Sequence, residues 1–196
     1  ITASASSFPT FFLSYEKGLP YLNSDVDFDR WQLRVEDDMN MRLWGTLMYR
    51  AAVGGFLQKK QVFLEDYTHF NGNQIILAAP YLNSFQLSSY YANSNTQSLY
   101  ATLHLEHHFY GLLTNKIPLF RKLQWYLTGS CNAYYVNQHQ NYVEASAGLE
   151  NIGIKLLRFL RVDGVVGYSN WKNPVYGIRI GISSAILHLD TGRDGD

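Results

Sequence analysis

Apolar and polar residues alternate with a period of two along most of the chain. Leu103 and Leu105 fall on one face of an extended backbone, while His104, Glu106 and His108 fall on the other. Successive side chains of a strand point to opposite faces, so this alternation predicts β-structure. The same pattern predicts about nine strands and little helix, at residues 10–17, 29–37, 41–54, 84–92, 99–109, 124–136, 141–150, 158–169 and 175–183.

The length and composition of these segments favour an apolar face that contacts lipid. Most exceed the roughly 5–6 residues of a soluble strand and match the roughly 9–11 of a membrane strand. Gly129, Cys131 and Ala133 lie mid-strand on the apolar face, where a water-soluble core would need bulk. Trp31 and Trp125 near strand ends resemble an aromatic girdle. The predicted fold is an all-β, transmembrane, antiparallel up-and-down β-barrel; a soluble sandwich or lipocalin-like barrel is the alternative.

In such a barrel the polar faces line the lumen with charges of both signs. Opposite charges can neutralise one another across a narrow interior, where an isolated charge is unfavourable. Asp163 and Arg179 lie on the last two strands, as partners for each other or for a loop. The predicted polar network of the lumen comprises His104, Glu106, His108, Glu144, Glu150, Arg161, Asp163 and Arg179.

The row of His104, Glu106 and His108 raises the question of a metal site. Side chains on one face of a strand are separated by about 7 Å per step, whereas zinc ligands lie about 2.0–2.2 Å from the metal. The spacing therefore favours a polar stripe, with no metal and no cofactor. The sequence also has no phosphate-binding glycine loop before a helix and no nucleophile-elbow motif. We therefore predict no catalytic residues and no enzymatic activity.

The long connection at about residues 55–83 interrupts the strand pattern. Long connections within compact domains are often functional. This one predicts either a plug or gating loop inside the barrel or an ordinary polar loop. The candidate plug residues are Asp66, Tyr67, His69, Asn71 and Asn73.

Composition narrows the classes of partner. Lys and Arg together number 16, as do Asp and Glu, so no basic excess indicates nucleic acid. Cys131 is the only cysteine, which excludes an intrachain disulfide framework. The sequence contains no run of about 18 apolar residues, so it predicts no transmembrane helix.

Several segments in order carry a family resemblance: "FPTFFLSYEKG", "GGFLQKKQVFLEDYTHFNGNQ", "PYLNSFQLSSYY", "LEHHFYGLLTNKIPLFRKLQW", "VEASAGLENIGIKLLRFLRVD" and "YGIRIGI". Together they resemble the barrel portion of a Bacteroidota-type outer-membrane family. Its members join an N-terminal carboxypeptidase-regulatory-like domain to a C-terminal barrel, with distant kinship to BamA-like barrels. The resemblance implies the outer membrane of a Gram-negative bacterium and contact with its lipid and lipopolysaccharide.

Nine strands is an odd count, and single-chain bacterial barrels usually have an even one. We therefore expect residues 1–189 to be the C-terminal portion of a larger barrel, followed by a disordered polar tail at residues 190–196. The expected function is a non-enzymatic scaffold in envelope assembly or protein secretion and translocation, with other envelope proteins as partners. A small-solute channel and a lumenal hydrolase are the alternatives; a soluble barrel would instead bind a ligand.

Overall fold

The computed structural model describes residues 8–21, 25–90, 94–95, 98–154, 157–172 and 174–183. Within these residues the chain forms ten strands, two short α-helices and two 3-10 helices. The strands are β1 (Thr10–Gly18), β2 (Asp27–Asn40), β3 (Thr46–Gln61), β4 (Thr68–His69), β5 (Ser94–Asn95), β6 (Tyr100–Tyr110), β7 (Tyr126–Asn137), β8 (Gln140–Ile154), β9 (Leu157–Ser169) and β10 (Pro174–Ile182). The predicted polar tail at 190–196 lies outside the described residues.

Eight strands form one antiparallel sheet in the order β1-β2-β3-β6-β7-β8-β9-β10. The two-residue strands β4 and β5 pair with each other inside the segment of residues 62–99, which we call the connection. The all-β, antiparallel prediction is confirmed, and the sheet holds eight of the nine predicted strands. The sheet is open, because in the part of the chain that the structure describes β1 and β10 are its two edges.

The connection occupies part of the β10 edge. The Ala78 N–H donates to the Ile180 carbonyl at 2.8 Å, and the Ile180 N–H donates to the Ile76 carbonyl at 2.9 Å. Leu77 thereby forms a parallel bridge with Ile180. These eight strands do not close into the predicted barrel, because the polar groups in the middle of the β10 edge bond to the connection rather than to β1.

The predicted strand at 84–92 is wrong over residues 84–90, and residues 91–92 lie outside the described residues. Residues 84–90 are turns and irregular backbone, and Phe85 and Gln86 are almost fully buried. The N–H groups of Gln86 and Leu87 donate to the carboxylate of Glu144 at 2.7 and 3.1 Å instead of to a neighbouring strand. Apolar and polar residues alternate here in a segment that packs against the sheet without joining it.

The polar side of the sheet is buried and the apolar side is exposed, which is the reverse of a water-soluble sheet. On β6, His104, Glu106 and His108 are 6%, 5% and 3% exposed, whereas Leu103 is 37% exposed. We call these two sides the polar face and the apolar face. The polar face packs against the connection, so its charged residues lie inside the molecule, whereas hydrophobic residues of the apolar face such as Leu103 are more exposed.

An aromatic cluster joins the connection to the polar face. Phe70 stacks on Tyr134 with ring centroids 4.5 Å apart, and Phe85 meets Tyr134 edge to face at 5.1 Å. Such pairs stabilise by about 0.5–1.5 kcal/mol beyond the area that they bury. The cluster comprises Phe70, Phe85, Tyr100, Tyr134, Val136 and Tyr142.

Helices contribute little to the fold. α1 (Gly111–Thr114) and α2 (Pro118–Leu123) lie between β6 and β7. No helix in the described part of the chain has both the length and the apolar character to cross a membrane.

The β2–β3 turn predicts a sharp difference between two glycine substitutions. Gly45 has φ +97°, and a Cβ added there would lie 1.9 Å from the carbonyl oxygen of His108. Gly45→Ala should therefore lower the free energy of unfolding by about 2 kcal/mol or more. Denaturant unfolding followed by tryptophan fluorescence measures this loss. Gly164→Ala is the control, because its nearest contact would be an ordinary 3.9 Å to Ala147; an equal loss in both variants would contradict the assigned turn geometry.

Candidate functional site

All eight residues of the predicted network lie on the polar face, and the structure buries every one of them. Strand alternation places their side chains on the same face of the sheet. The strand register then places residues of neighbouring strands opposite one another. His104 pairs with Asn132 and Asn132 with Glu144, while Asp163 pairs with Arg179. The polar face is therefore a continuous layer of hydrogen-bonding and charged groups beneath the connection.

Five of these residues form a compact group that we call the ion cluster: Glu106, His108, Glu150, Arg161 and Asp163. Arg161 bridges two carboxylates, because its Nε donates to Asp163 Oδ2 at 2.8 Å and its Nη1 contacts Glu106. His108 lies between Glu106 and the third carboxylate, Glu150, with Nδ1 3.0 Å from Glu150 and Nε2 3.4 Å from Glu106. Carboxylates and cationic or imidazole groups thus alternate, which compensates for their burial.

Three neighbouring residues complete the surroundings of the ion cluster. Thr128 donates to Asp163 Oδ1 at 3.4 Å, and Ser183 donates to Glu150 Oε2 at 3.1 Å. Gly148 lies in register between Thr128 and Asp163, and a Cβ there would lie 2.3 Å from Asp163 Oδ1. The absence of a side chain at Gly148 therefore lets the Asp163 carboxylate reach Thr128.

A second group, which we call the clamp, holds the connection. Its centre is Glu144, whose carboxylate accepts hydrogen bonds from the N–H groups of Gln86 and Leu87, from Asn132 Nδ2 at 2.9 Å and from Tyr142 Oη at 2.9 Å. Two carboxylate oxygens offer about four acceptor positions, so four donors fill the group. The connection is thus fixed through its backbone.

Arg179 completes the clamp from β10. Its Nε donates to the carbonyl of Gln86 at 2.8 Å, its Nη2 contacts the same oxygen, and its Nη1 donates to the Ile178 carbonyl at 2.9 Å. Asp163, its register partner, instead pairs with Arg161. Arg179 therefore pairs neither with Asp163 nor with the loop predicted at about 55–83, but with Gln86, which follows that loop.

His104 stands apart from the other two members of its row. Its Nδ1 lies 3.1 Å from Asn132 Oδ1, and its ring centroid lies 4.9 Å from that of Phe85. His108, in contrast, belongs to the ion cluster. Among the described residues, no group of three or more His, Cys, Asp and Glu side chains is arranged to hold a metal ion.

The candidate plug residues mostly organise the connection itself. His69 reaches Ser94 Oγ at 2.7 Å and the Leu64 carbonyl at 2.9 Å. Asn71 donates to the Asn83 carbonyl at 3.1 Å. These contacts stay within the connection.

The other three candidate plug residues differ in depth. Asn73 is buried, and its Nδ2 donates to the Leu77 carbonyl at 2.7 Å. Asp66 accepts the Phe63 N–H in a 3-10 turn, and its carbonyl receives a 2.7 Å hydrogen bond from Arg30 of β2. Tyr67 follows that turn, half-buried. Of the five, Asp66 is thus tied directly to the sheet.

Most residues that join the connection to the sheet were missed by the sequence analysis. Tyr81 places its ring 4.2 Å from Cζ of Arg161, and its burial together with the charge of Asp163 raises the pKa of the Tyr81 phenol far above its usual value, so it stays protonated. Gln86 supplies the backbone groups that the clamp binds. Thr128, Asn132 and Tyr142 occupy polar-face positions of predicted strands, and the alternation could have identified them had uncharged residues been included.

Comparison with known families shows which family the chain belongs to. Residues 1–149 match the model of the C-terminal domain of a family of unknown function (DUF5686). The matched region contains β1 to β7 and most of β8, including the clamp residue Glu144. No curated protein and no solved structure matches the chain.

The clamp predicts a specific effect of Glu144→Gln. The glutamine amide would keep one oxygen acceptor but turn its NH2 group toward the donors that now bond to the other oxygen, leaving buried donors unpaired. We expect a loss of about 1–3 kcal/mol in the free energy of unfolding and faster hydrogen exchange at the amides of Gln86 and Leu87. Glu16→Gln is the control, because its ion pair with Arg30 is exposed and contributes roughly 0–1 kcal/mol. Unchanged exchange at both amides in Glu144→Gln would show that the clamp does not hold the connection.

Proposed function

We propose that this chain, which belongs to the family of unknown function DUF5686, is the C-terminal portion of an outer-membrane β-barrel that acts as a non-enzymatic scaffold in envelope assembly or protein secretion. In this proposal it lies in the outer membrane of a Gram-negative bacterium, in contact with lipid and lipopolysaccharide and with other envelope proteins. The resemblance to barrels that carry a carboxypeptidase-regulatory-like domain, and more distantly to BamA-like barrels, belongs to the same proposal.

The observation that carries the proposal is the exposure of the apolar face. Leu13, Ile178 and Ile182 are 78%, 60% and 67% exposed, while Glu144 and Arg161 on the other face are buried. Fully burying such an apolar side chain is favourable by about 1.5–3 kcal/mol, and soluble monomers rarely expose large contiguous apolar patches. Hydrocarbon chains around the sheet would cover these residues and leave the charges in the interior.

Strand length and aromatic placement support the same location. β2, β3 and β8 contain 14, 16 and 15 residues, enough for the roughly 9–11 that a tilted strand needs to cross a bilayer. Exposed aromatic residues stand at both ends of the sheet: Trp44 and Tyr110 at one end, and Tyr135, Trp171 and Tyr176 at the other. Two such girdles are typical of outer-membrane barrels.

The open sheet supports membership of a larger barrel. Unpaired backbone groups are strongly unfavourable in hydrocarbon, so sheets that cross membranes are closed. β1 is one edge, and the connection covers only the middle of the other edge, β10. We therefore propose that further strands, from the same polypeptide or from another chain, pair with β1 and β10 in the membrane.

The interior favours a scaffold over a small-solute channel. The ion cluster, the clamp and the aromatic cluster join the sheet to the connection through side chains that bond to one another, beside a cavity of about 720 Å³. A channel would need this packing to open.

The order of groups around Glu150 gives no support to a hydrolase. In a serine hydrolase the imidazole stands between the hydroxyl and the carboxylate. Here the carboxylate of Glu150 contacts both the Ser183 hydroxyl and His108 Nδ1.

The native cysteine offers a direct test of the membrane proposal. Cys131 lies half-exposed on the apolar face of β7. After nitroxide labelling and reconstitution into liposomes, we expect Cys131 to collide frequently with dissolved oxygen and rarely with a water-soluble nickel chelate. The control is Cys131→Ser combined with Gln138→Cys in the exposed β7–β8 turn, where nickel collisions should dominate. Frequent nickel collisions at position 131 would place the apolar face in water and reject the proposal.

The scaffold role is tested in intact cells and in planar bilayers. A photo-crosslinking residue at Leu13, on the edge strand β1, should capture envelope proteins of an assembly or secretion complex, whereas the same residue at buried Asn132 should not. The purified barrel should show no conductance steps. Regular steps from the unmodified protein, without captured envelope proteins, would favour the channel instead.

A further inference from the structure

One end of the sheet carries a surface that is both cationic and apolar. It lies on α1, α2 and the turn between them, where the chain passes from β6 to β7. Its aliphatic side chains are 42% to 60% exposed, and its cationic residues are exposed too. We call this surface the basic rim, and its members are Leu113, Lys116, Ile117, Leu119, Arg121 and Lys122.

The three positive charges of the basic rim have no counter-charge nearby in the chain. No Asp or Glu occurs between residues 107 and 143. Among the described residues none of the three cations forms an ion pair, whereas Lys60 at the opposite end of the sheet pairs with Asp27. Asp37 and Asp38, the acidic residues of β2 toward this end, line the cavity beside the connection. An anionic partner would therefore complement the basic rim.

The basic rim is fixed to the ends of neighbouring strands. Asn151 of β8 donates through Nδ2 to the Gln124 carbonyl at 2.7 Å, and Arg158 of β9 donates to the Gln124 side chain. The rings of Phe120 and Trp125 stack with centroids 6.1 Å apart at the start of β7. The sheet therefore sets the level at which the cations are presented.

The lengths of the connections indicate which leaflet meets the basic rim. Outer-membrane barrels have short periplasmic turns and longer external loops. At the end with the basic rim the strands are joined by residues 41–45, 111–125 and 155–156; at the other end they are joined by residues 19–26, 62–99, 138–139 and 170–173. The end with the longest connection then faces outward, and the basic rim faces the periplasm. The periplasmic leaflet consists of phospholipid, whereas lipopolysaccharide occupies the outer leaflet.

We propose that the basic rim binds the phosphate groups of anionic phospholipid in the periplasmic leaflet. Its exposed leucine and isoleucine side chains lie among the acyl chains, and the stems of Lys and Arg follow the same apolar surface and place their charges at the phosphates. Exposed Trp44 on the neighbouring β2–β3 turn, whose carbonyl accepts from His107 Nε2 at 2.8 Å, has the amphipathic ring typical of this depth. Each such cation strengthens binding by about fivefold. The inference rests on the proposed function and deepens it.

Spin-labelled lipids test the lipid class. The full chain is reconstituted in phosphatidylcholine liposomes with a trace of nitroxide-labelled phosphatidylglycerol or nitroxide-labelled phosphatidylcholine, and the motionally restricted fraction measures the lipid at the protein surface. We expect about threefold preference for phosphatidylglycerol, below the sum of three cations because most lipid positions around the sheet lie away from the basic rim. High salt should remove the preference. Equal association of the two lipids would overturn the proposal.

Two triple variants locate the binding. Lys116→Gln, Arg121→Gln and Lys122→Gln together should bring the preference close to one without lowering Tm, because these exposed residues form no ion pair among the described residues. The matched control is Lys17→Gln, Lys60→Gln and Lys172→Gln, which removes the same three charges at the opposite end and should keep the preference. An equal loss in both variants would place the lipid elsewhere and overturn the proposal.

Thiol labelling in intact cells tests the leaflet. In the Cys131→Ser background, Asn115→Cys beside the basic rim should react with a polyethylene-glycol maleimide too large for porins only after the outer membrane is permeabilised. Gln138→Cys at the opposite end should react in intact cells. Reaction of Asn115→Cys in intact cells would place the basic rim against lipopolysaccharide and overturn the proposal. A lipid-facing label at Cys131 combined with no phosphatidylglycerol preference would reject this inference alone, whereas frequent nickel collisions there reject the membrane proposal itself.

Discussion

The structure depends on the pairing of charges that the sheet buries on its polar face. A buried ion that loses its partner destabilises a protein by about 3–5 kcal/mol, so no member of the ion cluster can be considered alone. Arg161 is the clearest case, since it joins Glu106 of β6 to Asp163 on its own strand. These contacts link β6 to β9 across the intervening strands β7 and β8.

The connection supplies some of the hydrogen-bond partners that the buried charged residues need. Without the N–H groups of Gln86 and Leu87, the buried carboxylate of Glu144 would lose two of its four donors, and Arg179 would lack the Gln86 carbonyl. Conversely, the backbone groups of Gln86 and Leu87 depend on these side chains for their hydrogen bonds, while Phe85 and Ser88 bond to the backbone of Asn71 and Asn73 within the connection. The sheet and the connection therefore satisfy each other, which explains why a segment with strand-like alternation folds as an irregular insert.

The strands and their faces could be predicted because a period of two is a local property. On β6 and β9 the alternation placed Glu106, Arg161 and Asp163 on the correct face before any partner was known. The partners themselves could not be predicted, because they depend on the path of the connection. Asp163 and Arg179 are register neighbours, as expected, yet Arg179 turns to the carbonyl of Gln86.

The false strand at 84–92 has the same origin as the missed partners. Alternation distinguishes two sides of a segment, but it does not say whether a neighbouring backbone is available to form a ladder. None of the polar groups of Gln86 bonds to the backbone of a strand. Its N–H bonds to the Glu144 side chain, its carbonyl to the Arg179 side chain, and its own side chain to the Ala79 carbonyl. Only the tertiary structure reveals this.

The same path of the connection also sets a condition on the free edge of β10. In a strand the N–H and C=O of alternate residues point to one edge, and at this edge those of Ile180 already bond to Ala78 and Ile76. A new strand that paired along the whole of β10 would have to take both groups from the connection. A full ladder of strand hydrogen bonds would outnumber these two bonds. Displacing residues 76–78, however, would also pull on residues 86–87, which the clamp holds in the same connection. Extension of the sheet at β10 and the position of the connection are therefore energetically coupled, through backbone groups rather than through any side chain.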